Sequence, residues 1–446
     1  MDPNTPASPN DSPGPATRGT SRRNVLRTGL VGSAALAAGP LLSACDTPGG
    51  ATASGKTKIR LWTWYTQQRE QWSQLIDEFQ RTHPNIEVEN RLFGNTDSYL
   101  PALQATVSAG NPPDIFGPHV LAVEYGKAGV TADLRGELGS DFVSGFFPST
   151  NEAFADGGKQ YALGWMAQTF GLLYDPEIFR QAGADVPETW DELVETANRI
   201  RTVTNKQALV VRNNPGSAGL DFFLPLIAQV TDDPRLVIDL DQRRRGARWD
   251  SPPVIEALRK VETLLKTETI APNGNALQEE AAQRMLFTGA AAMLFAGSWV
   301  PQDLQQSAPP EFVQRCQVMP VPAWAPGHRH WTANQCGAAL AVSAVSKNKQ
   351  AALEFLTFAY ESQRYARIMN QSTSMPATRQ AAEQVADPVL KQMTSWLVNG
   401  DGAPHILFGK GSSAAASNAF AGLMGGQASP EQTARAIQVE VERTGR

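Results

Sequence analysis

Residues Lys58–Gly117 read KIRLWTWYTQQREQWSQLIDEFQRTHPNIEVENRLFGNTDSYLPALQATVSAGNPPDIFG. Ile59 and Leu61 alternate with polar residues as a strand requires, and Trp72, Leu75, Ile76 and Phe79 then fall at helical spacing. Ile86, Val88 and Leu92 return to period two. Leu100, Leu103 and Val107 mark a second helix, stopped by Gly110 and Asn111-Pro112-Pro113, before the short apolar strand Asp114-Ile115-Phe116-Gly117. The order is βαβαβ, which predicts an α/β fold with an open, mostly parallel sheet whose ligands sit beyond the carboxyl ends of the strands. The residues just past those ends are Trp62, Thr63, Trp64 and Tyr65, and Gly117, Pro118 and His119.

Further along, the same alternation resumes after Tyr161-Ala162-Leu163-Gly164-Trp165. Thr189 and Glu192 in Pro187-Glu188-Thr189-Trp190-Asp191-Glu192-Leu193 predict a capping box at a helix start. Ser251-Pro252-Pro253 opens another helix with Val254, Leu258, Val261 and Leu265 on one side. Ala291–Ala296 is a buried-strand candidate ending in Gly297-Ser298-Trp299, Ala339–Val345 a further strand, and Lys349–Tyr360 a helix.

The whole chain has 446 residues, 41% hydrophobic and 19% charged, with a net charge of -5. That balance excludes a disordered tail protein, a collagen and a polytopic membrane protein, and it lacks the basic footprint of a nucleic-acid binder. Because single cores stop growing near roughly 250 to 300 residues, a globular part of this size is expected to divide into two lobes with a cleft between them. Ten Trp against seven Tyr is heavy Trp usage, and Trp suits places where a flat apolar face must meet a ligand.

The first 55 residues stand apart. Residues 1–20 are rich in Pro, Ser, Thr, Asn and Gly, too polar to bury a core. Ser21-Arg22-Arg23-Asn24-Val25-Leu26-Arg27 then precedes a Gly/Ala/Leu stretch and Leu42-Ser43-Ala44-Cys45. Charged, apolar and small-residue segments in this order are those of an export signal, and the apolar stretch is too short for a permanent membrane span. The Arg22-Arg23 pair resembles the twin-arginine (Tat) export motif, with Val25 where Phe is more usual. Leu42-Ser43-Ala44-Cys45 resembles the bacterial lipobox, in which the Cys becomes the lipid-bearing N-terminus. We therefore expect residues 1–44 to be a Tat-type lipoprotein signal peptide, Cys45 to be lipidated, and residues 45–55 to form a flexible tether. Two cysteines remain after cleavage, Cys316 and Cys336, and in an oxidising compartment a disulfide between them is expected.

From Lys58 onward the motifs resemble the family 1 extracellular solute-binding proteins of ABC importers, the maltose-binding-protein-like sugar-binding lipoproteins. Those motifs are Leu61-Trp62-Thr63-Trp64, Pro112-Pro113-Asp114-Ile115, Leu173-Tyr174-Asp175 and Pro187-x-Thr189-Trp190-x-Glu192-Leu193. They continue as Phe287-x-Gly289-x-x-Ala292-Met293-x-x-x-Gly297-Ser298-Trp299, Ser346-Lys347-Asn348-Lys349-x-Ala351-Ala352 with Phe355-Leu356, and Met375-Pro376-Ala377-Thr378-Arg379. Their joint order is more specific than any one of them.

The resemblance implies a two-lobed periplasmic-binding-protein-like fold with discontinuous lobes, 56–166 with 342–376 and 167–341 with 377–446, joined by a hinge. It implies a monomer that captures a sugar or oligosaccharide by hinge closure and delivers it to an ABC transporter permease. The lipid on Cys45 would hold it on the extracytoplasmic face of the cell membrane. Carried over position by position, it implies ligand contacts from Trp62, Trp64, Tyr65 and His119 on one lobe. Trp165, Gln168, Ser298, Trp299, Asn334 and Gln335 would supply them at the crossing and on the other. Such a set provides aromatic plates for sugar CH faces and amides for hydroxyls.

Other readings have less behind them. A binding protein for a glycerophosphodiester, a polyamine or a metal chelate shares the fold. A Tat-exported enzyme is a further alternative, but there is no HExxH, GxSxG, GxGxxG or P-loop, and the five His include only one close pair, His328 and His330. No cofactor and no metal site is expected. Glu279-Glu280 and Asp232-Asp233 read as exposed faces or loops, and Arg243-Arg244-Arg245 as a solvated loop.

Overall fold

The computed structural model describes residues 55–214, 218–404 and 412–444. The leader, with Arg22, Arg23 and Cys45, and the tether up to residue 54 lie outside the described residues. The strands are β1 (Thr57–Thr63), β2 (Ile86–Leu92), β3 (Ile115–Phe116), the small ribbon β4 (Ala155–Asp156) and β5 (Lys159–Gln160), and β6 (Leu163–Tyr174). After them come β7 (Gln207–Val210), β8 (Ala291–Gly297), β9 (Gln317–Met319), β10 (Thr332–Val342) and β11 (Gly402–Pro404). Apart from the ribbon they join in the order β2-β1-β3-β10-β6-β8-β7, with β11 against β10 and β9 against β6. No helix among the described residues is long and apolar enough to cross a membrane.

The βαβαβ start forms as the periodicity predicts. β1 runs parallel to both β2 and β3, and helix α1 (Arg69–Thr82) buries Trp72, Leu75, Ile76 and Phe79 against it. Helix α2 (Thr96–Ser108) starts on Asn95, whose side chain accepts from the Ser98 amide, the usual way to satisfy an orphan donor at a helix start. Its fully buried residues are Tyr99 and Leu103, while Leu100 and Val107, expected on the same face, pack only partly. The Thr189/Glu192 capping box is present in both directions, and Val254, Leu258 and Val261 are buried in the helix Pro252–Lys266.

Two long strands carry the chain between two separate cores. Residues Leu163–Thr169 of β6 pair with β10, whereas Phe170–Tyr174 of the same strand pair with β8. The far end of β10, Ala341 and Val342, pairs with β3. Trp165 accordingly sits in one core with Ile59, Leu61, Trp72, Phe79 and Leu340. Phe170, five residues on, sits in another with Trp190, Phe222, Val261 and Phe295. The strand expected at 339–345 therefore begins earlier, at Thr332. Its first half, Thr-Ala-Asn-Gln-Cys-Gly-Ala, is held by backbone pairing to β6 and shows no apolar alternation.

Packing does not follow the expected division at 376/377. Ala377, Leu390, Met393, Trp396 and Leu397 belong to the core of Trp165 and Met166, while Phe420, Leu423, Ile437 and Val441 belong to that of Phe170. The expected Cys316–Cys336 disulfide is also corrected: Cys316 is buried and its thiol is free. Gln317 pairs with Tyr174 on β6 and Cys336 with Ala167, so strand rise alone separates the two positions by roughly 20 Å. A disulfide needs Cα atoms within about 7 Å.

Candidate functional site

At the carboxyl ends of β1 and β3 the aromatic residues have different roles. Trp62 is buried, its ring 5.3 Å from Phe93 with the Arg91 guanidinium 4.7 Å above it. Its carbonyl accepts from the Gly117 amide and the Tyr99 hydroxyl. Tyr65 is also buried; its hydroxyl donates to the Ala339 carbonyl at 2.7 Å and accepts from the Ala339 amide at 3.0 Å. Of these two residues, expected to touch ligand, Trp62 is packed in the core and Tyr65 is bonded through its hydroxyl to β10.

Trp64 is the one of the three that remains half-buried. Its ring lies 4.8 Å from Tyr65, edge-on, 4.8 Å from Tyr99 and 5.4 Å from His119. A Cβ at Gly117 would stand 2.7 Å from both the Trp64 ring and the Tyr65 hydroxyl, so only glycine lets the strand end approach the indole. His119 adopts φ 52°, a left-handed backbone rare outside glycine. Burial pushes its imidazole below the ordinary 6.5, which keeps it neutral at pH 7, and its buried Nδ1 has no hydrogen-bond partner. A strained residue with an unsatisfied ring nitrogen, beside an accessible indole, is the kind of position that function retains.

Between the two cores, Gln168 lies opposite Gln335 and Thr169 opposite Asn334 in the β6–β10 pairing. Gln168 is half-buried; the side chain of Gln335 lies outside the described residues. Asn334 is buried, its Nδ2 donating to Ser149 Oγ while its Oδ1 has no partner. Ser298 is buried beside them, its amide donating to the Thr169 carbonyl at 3.0 Å and its hydroxyl accepting from the Thr169 amide at 3.4 Å. Trp165 is a correction: it is fully buried, stacked on Trp72 at 4.6 Å, and its Nε1 donates to Gln68 Oε1 at 2.6 Å. A side chain with both faces covered and its one donor used is core.

On the far side, Trp299 stands half-buried at the end of β8. Its ring meets Phe170 edge-on at 5.3 Å and lies over Gly297, where any Cβ would collide with it. Its Nε1 donates to Glu279 Oε1 at 2.6 Å, and the other Glu279 oxygen is 3.2 Å from an Arg212 nitrogen. Phe170, Arg212, Asp221, Glu279 and Trp299 line one crevice. Glu279, which reads from sequence as part of an exposed face or loop, is instead half-buried and engaged from two sides, by partners far away in sequence.

Two half-buried indoles therefore stand on opposite sides of the paired strands β6 and β10, with His119 beside Trp64, while Asn334 is buried against Ser149 on the face opposite to that of Gln168. Comparison with known proteins agrees with the fold. Residues 64–364 match the family described as bacterial extracellular solute-binding protein. The arabinooligosaccharide-binding protein of Bacillus subtilis is 23% identical over 333 residues, covering 72% of each chain. A protein of Streptomyces antibioticus described as an uncharacterized lipoprotein is 26% identical over 369 residues, covering 78% of this chain and 76% of its own. Among solved structures, the cyclic alpha-maltosyl-1,6-maltose binding protein of Arthrobacter globiformis superposes with a TM-score of 0.72 at 18% identity. That match covers 87% of this chain and 99% of the other. With the family match spanning residues 64–364 and the fold shared over 87% of its length, the chain belongs to the bacterial extracellular solute-binding proteins, which are non-enzymatic receptors.

Proposed function

We propose that this protein captures a neutral oligosaccharide between its two cores and delivers it to the permease of an ABC importer. The observation that carries the reading is the pair Trp64 and Trp299. Each is an accessible indole fixed by edge contacts, one near the carboxyl end of β1 and the other at that of β8. Sugar rings offer flat CH faces to such plates, with hydroxyls for His119 and Gln168. Residues 56–166 with 342–398 would form one lobe, and 167–341 with 412–444 the other. β6 and β10 would be the hinge about which ligand draws them together.

The export reading belongs to the same proposal. Arg22 and Arg23 would direct Tat export and Cys45 would carry lipid, placing the receptor on the outer face of the cell membrane beside its permease. Loss of fatty-acid labelling in Cys45→Ala, and loss of export when Arg22 and Arg23 both become Lys, are the expected results.

A thermal-shift series tests the binding reading, because a ligand bound by the native state alone must raise its melting temperature. Arabinotriose, xylotriose, maltotriose and diacetylchitobiose sample pentose, hexose and N-acetylhexosamine chemistry. We expect at least one to raise the melting temperature, and Trp64→Ala or Trp299→Ala to remove the effect. A shift that persists in both variants would put the site elsewhere.

A further inference from the structure

We propose that Glu279, itself held by Arg212, is a positioning residue that sets the plane of Trp299 before ligand arrives. This inference rests on the reading of Trp299 as a ligand platform. Three segments distant in sequence converge here. Arg212 follows β7, Glu279 is the first residue of the helix Glu279–Phe287, and Trp299 follows β8. One carboxylate oxygen takes the indole N–H at 2.6 Å and the other faces the guanidinium at 3.2 Å. Arg212 is only 15% exposed at its side chain, and its other nitrogen donates to the Asn214 carbonyl at 3.2 Å, so the support is itself anchored.

The consequences concern both affinity and selectivity. An indole with one edge bonded, Phe170 meeting its ring edge-on and a glycine backbone against it has little rotamer freedom left to lose on binding, which is how preorganisation strengthens a complex. Because Nε1 is already occupied, Trp299 offers ligand its π face and no donor. Because Glu279 is shared between Trp299 and Arg212, it is engaged as an acceptor before any sugar hydroxyl arrives. The geometry thus favours the apolar face of an uncharged ring on this side of the cleft, leaving hydroxyl recognition to His119 and Gln168.

The test starts without ligand. In the full-length protein labelled with 15N, the indole Nε1–H signal of Trp299 is assigned by its disappearance in Trp299→Phe. Glu279→Ala should shift this signal upfield and speed its hydrogen exchange, whereas Glu279→Gln, which keeps an acceptor oxygen, should retain most of the native signal. Titration with the same four oligosaccharides then reads function. Glu279→Ala should weaken binding about tenfold, as loss of a hydrogen bond to a charged group would, while a cooperative urea transition shows the fold intact. In the Trp299→Phe background, which keeps a plate but has no N–H, the same change should cost nothing further. An indole signal unmoved by Glu279→Ala, or an equal loss of affinity in both backgrounds, overturns the positioning role. If Trp299→Ala leaves sugar affinity intact, the platform reading falls with it; if Trp299→Ala abolishes binding and Glu279→Ala does not weaken it, only the positioning role falls.

Discussion

The guanidinium of Arg244 lies 3.1 Å from the carboxylate of Asp156 and ties the two sides of the molecule together. Arg244 follows the helix Arg235–Gln242, whose Val237 and Leu240 pack with Phe170. Asp156 ends the β4 strand beside Phe154, which packs with Trp62 and Tyr99. The second Asp156 oxygen takes Lys127 at 3.1 Å. The basic run 243–245, read from sequence as a solvated loop, is in fact ion-paired at Arg244 and Arg245.

Exposed pairs of this kind contribute about 0 to 1 kcal/mol and are screened by salt. Arg244→Ala should therefore shift the ligand-free protein toward a more open form at low ionic strength, read as a larger radius of gyration by small-angle scattering. Wild type and variant should converge in molar salt. Identical radii at low salt would mean that the pair does not restrain the two sides.

His119 makes a pH prediction. Burial lowers its folded pKa, while the unfolded chain keeps the ordinary 6.5. As pH falls through 6.5 the unfolded state takes up a proton that the folded state resists, so stability is lost until the lower folded value is passed. Thermal midpoints of wild type should fall more between pH 7.5 and pH 5 than those of His119→Gln. Parallel declines in the two proteins would show that this imidazole is not held neutral.

Trp165 and Trp299 should separate folding from binding. Trp165 is fully buried, and Trp165→Ala should lower the unfolding free energy by about 3 to 5 kcal/mol. The half-buried Trp299 should lose about 1 to 2 kcal/mol when changed to Ala yet lose most of its sugar affinity. Urea unfolding without ligand decides, and the opposite ranking would refute the assignment of core and platform.

Cys316 should be chemically silent in the native protein. Burial pushes its thiol up to about 12, and the nucleophilic species is the thiolate. In a Cys45→Ser, Cys336→Ser background, iodoacetamide at pH 8 should leave the folded protein unmodified and alkylate it fully in guanidinium chloride. Rapid native alkylation would contradict the burial of this thiol.

Much of this molecule can be read where local periodicity coincides with burial. The βαβαβ start is legible because β1 and α1 each bury one face against a neighbour in the same stretch of chain. Gly297-Ser298-Trp299 is legible because glycine before an aromatic marks close approach. The rest depends on partners far away in sequence. Tyr65 reads as available in sequence, but its hydroxyl is bonded to Ala339, and Trp165 is covered by Trp72 and Gln68. β6 is covered on both faces through most of its length, so no alternation shows which way Trp165 points. Glu279 carries no local sign of its role, since both Arg212 and Trp299 reach it only in the folded chain.

The central claim is that a neutral oligosaccharide binds one site between the two cores. Isothermal titration of the purified protein with arabinotriose, xylotriose, maltotriose and diacetylchitobiose tests it most directly. The account predicts saturable binding of at least one of them at a single site per chain, with the sugar recovered unchanged. No binding of any of the four, or recovery of cleaved sugar, would contradict it.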